Sequence, residues 1–289
     1  MQVSRSGYYE NLKEKQSVKS QLETKLIIEV KAISAKSRTS CGKRTIAKHL
    51  QAKGYSVGVY AARTLMKKAG VASKQRRRYC VTTDSRHHLP IAENVLNRQF
   101  NVEAPNRAWV TDITYVWTME GWLYVAGVLD LFSRRVVGWA MASHMKESLV
   151  SDALRMALGR RQPEAGLLQH SDRGVQYASH AYQALLKNNS IIVSMSRKGN
   201  CWDNAVMERF WGSLKSERTD GQLYLTREEA KQDILDYIEM YYNSIRLHSS
   251  LGYQSPAEFE MHNELFEQVT IGTTQAIYHG AACQDDMQH

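Results

Sequence analysis

Three carboxylates stand out by the positions they occupy. Asp112 falls in the middle of "WVTDITYV", a β-branched, aromatic run that reads as a strand. Aspartate is disfavoured there because its side chain competes with the ladder for hydrogen bonds. Asp172 directly follows the short run "GLLQH", where an αβ sheet usually places its ligand-binding loops. Glu208 lies in "NAVMERFWGSLKSE" (204–217), a helical pattern with an apolar stripe through Val206, Met207, Phe210, Trp211 and Leu214. At about 100° per residue, Lys215 returns to the azimuth of Glu208 two turns on, so the two charges share the other face. Singly, each carboxylate has a bland alternative: an edge-strand turn for Asp112, a helix cap for Asp172, a solvated charge for Glu208. Two strand-associated aspartates and a helical glutamate, with 35 residues between Asp172 and Glu208, together point to one site.

Cysteine and histidine chemistry is not indicated. Cys41, Cys80, Cys201 and Cys283 are far apart and form no Cys-x-x-Cys pair, which argues against a four-cysteine zinc site or a disulfide framework. His87 and His88 are adjacent and lack partners at ligand spacing. Charge is distributed unevenly. Residues 1–103 hold 21 Lys and Arg against 7 Asp and Glu, a net +14, whereas residues 104–289 hold 17 against 22, a net −5. A basic front attached to an acidic rear suggests a nucleic-acid-binding arm joined to a part that needs carboxylates. The start, "MQVSRSGYYENLKEK", has no apolar core of a secretory signal, and the longest near-apolar run, "WLYVAGVLDLF", is too short to span a bilayer. A cytoplasmic protein without membrane contact is expected.

The elements that must position these residues follow from periodicity. Leu22, Leu26, Val30 and Ile33 recur at helical spacing within 16–35. Helices are predicted at 43–53, with Ile46, Ala47 and Leu50 inward, and at 58–69, with Val59, Ala62, Leu65 and Met66 inward and Gly70 as the stop. This pair, joined through "GYSVG" and carrying Lys43, Arg44, Lys48, Arg63, Lys67 and Lys68 outward, resembles a helix-turn-helix unit. "SKQRRRYCVTTDSRHHLP" (73–90) has no periodicity and reads as a basic linker. Beyond it, "RAWVTDITYVW", "GWLYVAGVLDLFS" and "RRVVGWAMA" predict an antiparallel meander. A helix at 146–160, a strand "GLLQHS", a helix at 179–188, a strand "SIIVSMS" and helices at 203–218 and 226–243 complete a layered fold with a mixed sheet. The expected division is a helical domain over 1–72, the basic linker over 73–103, a core over 104–260 and a tail over 261–289.

Five ordered blocks carry a family resemblance: "WVTDITY" (109–115), "VLDLFSR" (128–134), "HSDRGVQY" (170–177), "GNCWDNAVMERF" (199–210) and "YNSIRLHSSLGYQSP" (242–256), with Lys215 seven residues after the glutamate. From about Ser4 to Phe259 the chain resembles the catalytic OrfB part of insertion-sequence-3 family transposases, in the retroviral-integrase-like DDE superfamily. The resemblance implies an α/β, ribonuclease-H-like core with a five-stranded mixed sheet, behind a helix-turn-helix-like domain. It implies that Asp112, Asp172 and Glu208 converge to hold two Mg²⁺ ions, for which Mn²⁺ substitutes. Carboxylates suit that metal, which takes hard oxygen donors and keeps several waters. Two such ions about 3.5–4 Å apart stabilise the attacking and leaving oxygens of a phosphodiester in displacement.

The implied activity is hydrolysis at an element end to free a 3′-hydroxyl. Attack of that hydroxyl on another phosphodiester follows, by way of a circular intermediate, integrating the element into target DNA. The implied partners are double-stranded DNA, further copies of the chain on that DNA, and an upstream OrfA part as fusion or partner. DNA contacts are assigned to Lys215, Arg209, Lys43, Arg44, Arg63, Lys67, Arg76, Arg77 and Arg78. His170 is expected to orient Asp172 or simply to pack. Asn200, Trp202 and Asn204 are expected to shape the loop before the glutamate helix and touch DNA, with capping by Asp203 or Asn204 as the structural alternative. Arg246 and His248 match the last block and are assigned to DNA or subunit contact, and Asp130 to a turn or supporting role. The rival readings are a non-catalytic DNA-binding regulator of transposition and a ribonuclease-H-like nuclease that cuts without joining.

Overall fold

A computed structural model describes residues 18–73, 89–198 and 200–265. The chain divides into two compact units, within residues 1–76 and 77–289.

The first unit is three helices: α1 (Val18–Lys36), α2 (Lys43–Ala52) and α3 (Val59–Lys68). Val30, Ile46, Leu50 and Ala62 form its fully enclosed centre. The α1 stripe is displaced from its predicted position. Leu22 is exposed, while the buried line runs from Leu26 through Val30 and Ile33 to Ser34 and Ser37. Lys43, Arg44, Lys48, Arg63, Lys67 and Lys68 all lie exposed on α2 and α3, as a basic outer surface requires. Arg76, Arg77 and Arg78 fall outside the described residues.

The second unit is built on a five-stranded sheet in the order β3-β2-β1-β4-β5. Strands β1 (Ala108–Thr118), β2 (Gly121–Asp130) and β3 (Val136–Ala142) pair antiparallel, while β4 (Leu168–Ser171) and β5 (Ile192–Met195) join parallel to β1. Helix α4 (Glu147–Arg161) follows the meander, the short α5 (Val175–Ala178) and α6 (His180–Asn188) link β4 to β5, and α7 (Ala205–Leu214) comes after β5. Helix α7 continues into a wider, π-type turn over Lys215–Thr219, and α8 (Arg227–Asp236) does the same over Tyr237–Tyr242.

Both sheet faces are covered, so β2 reads as a continuous buried run instead of alternating. Phe210, Trp211, Tyr237 and Ile238 pack on one face, and Leu149, Leu154 and Tyr182 on the other. Gly138 on β3 sets the closeness of α4: a Cβ there would lie 2.3 Å from the Ala153 carbonyl and 2.7 Å from the Ala157 methyl. Gly138→Ala is expected to force α4 off the sheet and lower stability by about 1–3 kcal/mol, read as an earlier thermal melt.

A final helical stretch over 256–265 was not foreseen. Its start carries a reciprocal cap: the Glu258 amide donates to Ser255 Oγ (3.3 Å) and the Ser255 amide to the Glu258 carboxylate (2.9 Å). No described helix is long and apolar enough to cross a membrane.

Candidate active site

The pairing of β1 with β4 ends at Val110 and His170, while β1 runs on to Thr118. Asp112 lies on this departing part of β1, and Asp172 immediately follows the carboxyl end of β4. Both therefore reach the crevice where parallel strands open, and both line one cavity of about 420 Å³. Each carboxylate is fixed locally by a backbone amide: Ile113 N–H donates to Asp112 Oδ1 (2.8 Å), and Gly174 N–H to Asp172 Oδ1 (2.9 Å).

Helix α7 brings Glu208 to the same neighbourhood. Burial pushes the Asp112 carboxyl well above the ordinary range, and the negative charges of Asp172 and Glu208 add to that push. Burial also raises Glu208, which is partly covered. Met207, Phe210, Trp211 and Leu214 seat α7 on the sheet, so the stripe read in the sequence does orient this glutamate. Among the described residues, no three His, Cys, Asp or Glu side chains converge tightly enough to hold one ion by themselves. The donor set nevertheless fits a hard divalent cation. Asp112 and Asp172 offer carboxylate oxygens at a half-buried, mutually repelling locus, and Mg²⁺ is commonly held by one or two carboxylates with water and phosphate completing its shell.

Several neighbours were not legible as site residues. Asp112 pairs across the ladder with Gly127, and a Cβ at Gly127 would lie 2.9 Å from the Trp211 ring. The missing side chain lets the indole lie over β2. Its Nε1–H, buried and outside bonding geometry to any partner, favours the Asp112 anion and partly offsets the burial effect. Tyr177 is enclosed beside the two aspartates, its hydroxyl 3.4 Å from Thr111 Oγ1, and burial with the nearby Asp112 and Asp172 charges keeps that phenol un-ionised. Lys215 is half-buried with Nζ 4.8 Å from the Tyr115 ring centre. Burial lowers its pKa, opposed by the negative charges of Asp220 and Asp112.

The supporting residues divide into several kinds. His170 is buried, its ring nitrogens 2.8 Å from Ser194 Oγ and 3.1 Å from Ser196 Oγ on the β5 side. Burial lowers its pKa to about 4, so it is a neutral packed histidine at neutral pH. Asn204 donates to the Thr111 carbonyl (3.1 Å), tying the start of α7 to β1, and its side chain does not cap the helix. Asp203 does not cap either. Its enclosed carboxylate accepts from Arg197 N, Nε and Nη2 (2.8–3.0 Å), Arg98 Nε (2.9 Å) and Asn94 Nδ2 (2.9 Å), clamping the loop before α7. Arg98 also donates to Asn200 Oδ1 (2.9 Å). Trp202 stands open to solvent on this clamped loop, and Arg209 is exposed on α7.

Arg246 and His248, assigned to DNA or subunit contact, are both engaged inside the fold. Arg246 makes a forked pair with Glu217 (Nη2 to Oε1 2.7 Å, Nε to Oε2 2.9 Å), and His248 packs edge-on to Tyr242 with ring centres 4.9 Å apart. Asp130 holds a turn, accepting the Asn106 (2.8 Å) and Phe132 (2.9 Å) amides.

Known proteins resemble the chain in both its helical and its sheet-bearing regions. Two models described as integrase core domain match residues 102–201 and 189–256, and a model described as HTH-like domain matches 21–79. The catalytic core of BIV integrase is similar in structure, with a TM-score of 0.41 and 17% identity over 56% of this chain and 99% of that one. An "Insertion element IS600 uncharacterized 31 kDa protein" of Shigella sonnei is 44% identical over 89% of this chain and 94% of its own length. "Transposase InsF for insertion sequence IS3A" of Escherichia coli K12 is 39% identical over 91% of this chain and 92% of its own. Identity of this extent, across both the HTH-like and the integrase-core regions, makes the chain a member of the insertion-sequence-3 family of transposases, enzymes of the DDE transposase and integrase type.

Proposed function

We propose that Asp112, Asp172 and Glu208 are the catalytic carboxylates of a metal-dependent transposition reaction that frees a 3′ end of the element and joins it to target DNA. The observation that carries this reading is the meeting of Asp112 and Asp172 in one cavity at the carboxyl end of β4, with Glu208 in electrostatic reach of Asp112. Two Mg²⁺ ions, or Mn²⁺ in their place, would neutralise the attacking and leaving oxygens when bound by these carboxylates. The chain's own groups do the positioning. The Ile113 and Gly174 amides fix the two aspartates, Asn204 ties α7 to β1, and the Asp203 clamp holds the loop before α7.

In cleavage, a water oxygen bonds to phosphorus, the 3′-oxygen leaves and takes up a proton. In joining, the freed 3′-oxygen bonds to the phosphorus of a second phosphodiester and gives up its proton, while that phosphodiester's own 3′-oxygen leaves and takes up a proton. Lys215 holds a phosphate beside the carboxylates, and Arg209 extends that contact along the backbone. The outward lysines and arginines of α2 and α3, continued by Arg76, Arg77 and Arg78, grip duplex DNA through its phosphates. The active species is an oligomer on DNA, working with an upstream OrfA part in the bacterial cytoplasm.

Oligonucleotides carrying the element's end test this reading. Cleaved and joined strands are expected with Mg²⁺, and neither with EDTA. Cleavage without joining would make the protein a nuclease, and binding without either product a regulator.

A further inference from the structure

Four rings line the cavity at the two aspartates. Tyr115 and Trp122 come from the β1–β2 hairpin, Tyr124 follows on β2, and Tyr177 comes from α5, with Met145 alongside. Gln176 Nε2 donates to the Met145 carbonyl (2.9 Å), joining two parts of the lining. Among the described residues that line it, Asp112 and Asp172 alone carry charge. Trp122 meets Tyr115 and Trp117 edge-on, each with ring centres 4.8 Å apart, so neither ring covers the indole by parallel stacking. It stays 42% exposed.

A metal-bound phosphate accounts for the carboxylates and leaves the aromatic wall unexplained. The volume, about 420 Å³, lies within the range of small-molecule sites, about 300–1,000 Å³. A nucleotide whose metal-bound phosphate rested at Asp112 and Asp172 would carry its base into the same cavity, which Tyr115, Trp122 and Tyr124 also line. Flat aromatic walls with few fixed polar groups suit a base face and tolerate any base, since every base presents a π-surface.

We propose that this cavity is a site for one unstacked nucleobase of the DNA being cut or joined, held against Trp122 and Tyr115 next to the scissile phosphodiester. The site rests on the transposase reading above, and it adds a base-holding step to it. Extrusion costs least where a strand end, nick or mismatch already weakens stacking, so the site favours such DNA. The pocket thereby fixes the sugar–phosphate of the reacting nucleotide and makes base stacking, rather than base-edge reading, part of positioning.

The test couples Trp122 to individual bases. Wild-type protein, Trp122→Ala and Trp122→Phe are compared on duplexes of the element's end that are intact or carry one abasic site, scanned through the nucleotides flanking the scissile bond. Binding is read by fluorescence anisotropy in Ca²⁺, and strand transfer by gel in Mg²⁺. On intact DNA, Trp122→Ala is expected to lose about tenfold in binding, within the range of one aromatic–base stack, and Trp122→Phe much less. At a single abasic position the wild type and Trp122→Ala should become equal, while they stay apart at every other position. An equal loss on all duplexes would show that Trp122 only supports the fold, and no loss on any would show an idle surface; either overturns the proposal. Position-specific coupling in Ca²⁺ without cleaved or joined product would leave the base site standing and remove the strand-transfer reading. Products without coupling would do the reverse.

Discussion

Asp112→Asn is expected to abolish cleavage and strand transfer while raising the thermal stability of the metal-free protein. The activity loss should reach at least about a thousandfold, because a metal-binding carboxylate supports several kcal/mol of transition-state stabilisation and each ~1.4 kcal/mol is a factor of ten. The stability gain follows from the electrostatics of the site. Burial and the neighbouring Asp172 and Glu208 charges raise the Asp112 carboxyl in the folded state. A raised carboxyl favours folding fully below the unfolded value, about 3.9, and loses that contribution as pH rises through the folded value. At neutral pH the metal-free protein therefore carries a penalty, which a neutral side chain of the same shape removes while still accepting from the Ile113 amide. Relief of that penalty would raise the melting temperature at neutral pH, with less gain towards pH 4. Calorimetry on both proteins across pH checks this. A variant that is inactive and also less stable would show that Asp112 serves the fold.

Glu217→Ala is expected to be the most damaging single change to stability outside the apolar core. Glu217 is 6% exposed, accepts three hydrogen bonds from Arg246 and one from the Tyr237 hydroxyl (2.8 Å), and bridges the turn after α7 to the segment after α8. Burial acts against the Arg246 charge, and Glu217 overcomes it. Removing the anion strands a largely buried guanidinium, which typically costs about 3–5 kcal/mol, or about 6–20 °C in melting temperature for a chain of this size. The double variant Glu217→Ala, Arg246→Ala should recover part of the loss, since it removes the uncompensated charge. A thermal melt of Arg246→Ala near that of wild type, together with weaker DNA binding, would return this arginine to the DNA-facing role its sequence block suggested.

The elements that set the site were legible because they are amphipathic or β-branched over many residues. The meander, α4, the α7 stripe and the helix pair α2–α3 all appear near their predicted bounds. Local pattern also placed Asp112 at mid-strand and Asp172 at a strand end, the two facts that bring them together. What periodicity does not contain is pairing between distant side chains. Arg98 and Asp203 lie 105 residues apart, and Arg246 and Glu217 29 apart. Asp203 therefore looked like a helix cap, and Arg246 like a surface cation. Trp211 was assigned to the core correctly, but its proximity to Asp112 depends on Gly127 lying across the ladder, a tertiary relation. The Leu22 error has another origin: helical spacing gives the direction of a stripe and leaves open how far along α1 its partners reach. One missed element did have a signal, since "SPAE" (255–258) spells the cap that starts the last helical stretch.

Of the three proposed carboxylates, Glu208 alone does not line the shared cavity, and it is connected to the aspartates through its electrostatic effect on Asp112. Glu208→Gln keeps the size and the helix and removes only the charge, so it isolates that connection. The decisive measurement is strand transfer by wild type and Glu208→Gln on the element's end in Mg²⁺, with DNA binding measured alongside. Joined product is expected from the wild type, none from the variant, and equal binding by both. Full Mg²⁺-dependent joining by Glu208→Gln would contradict the three-carboxylate site.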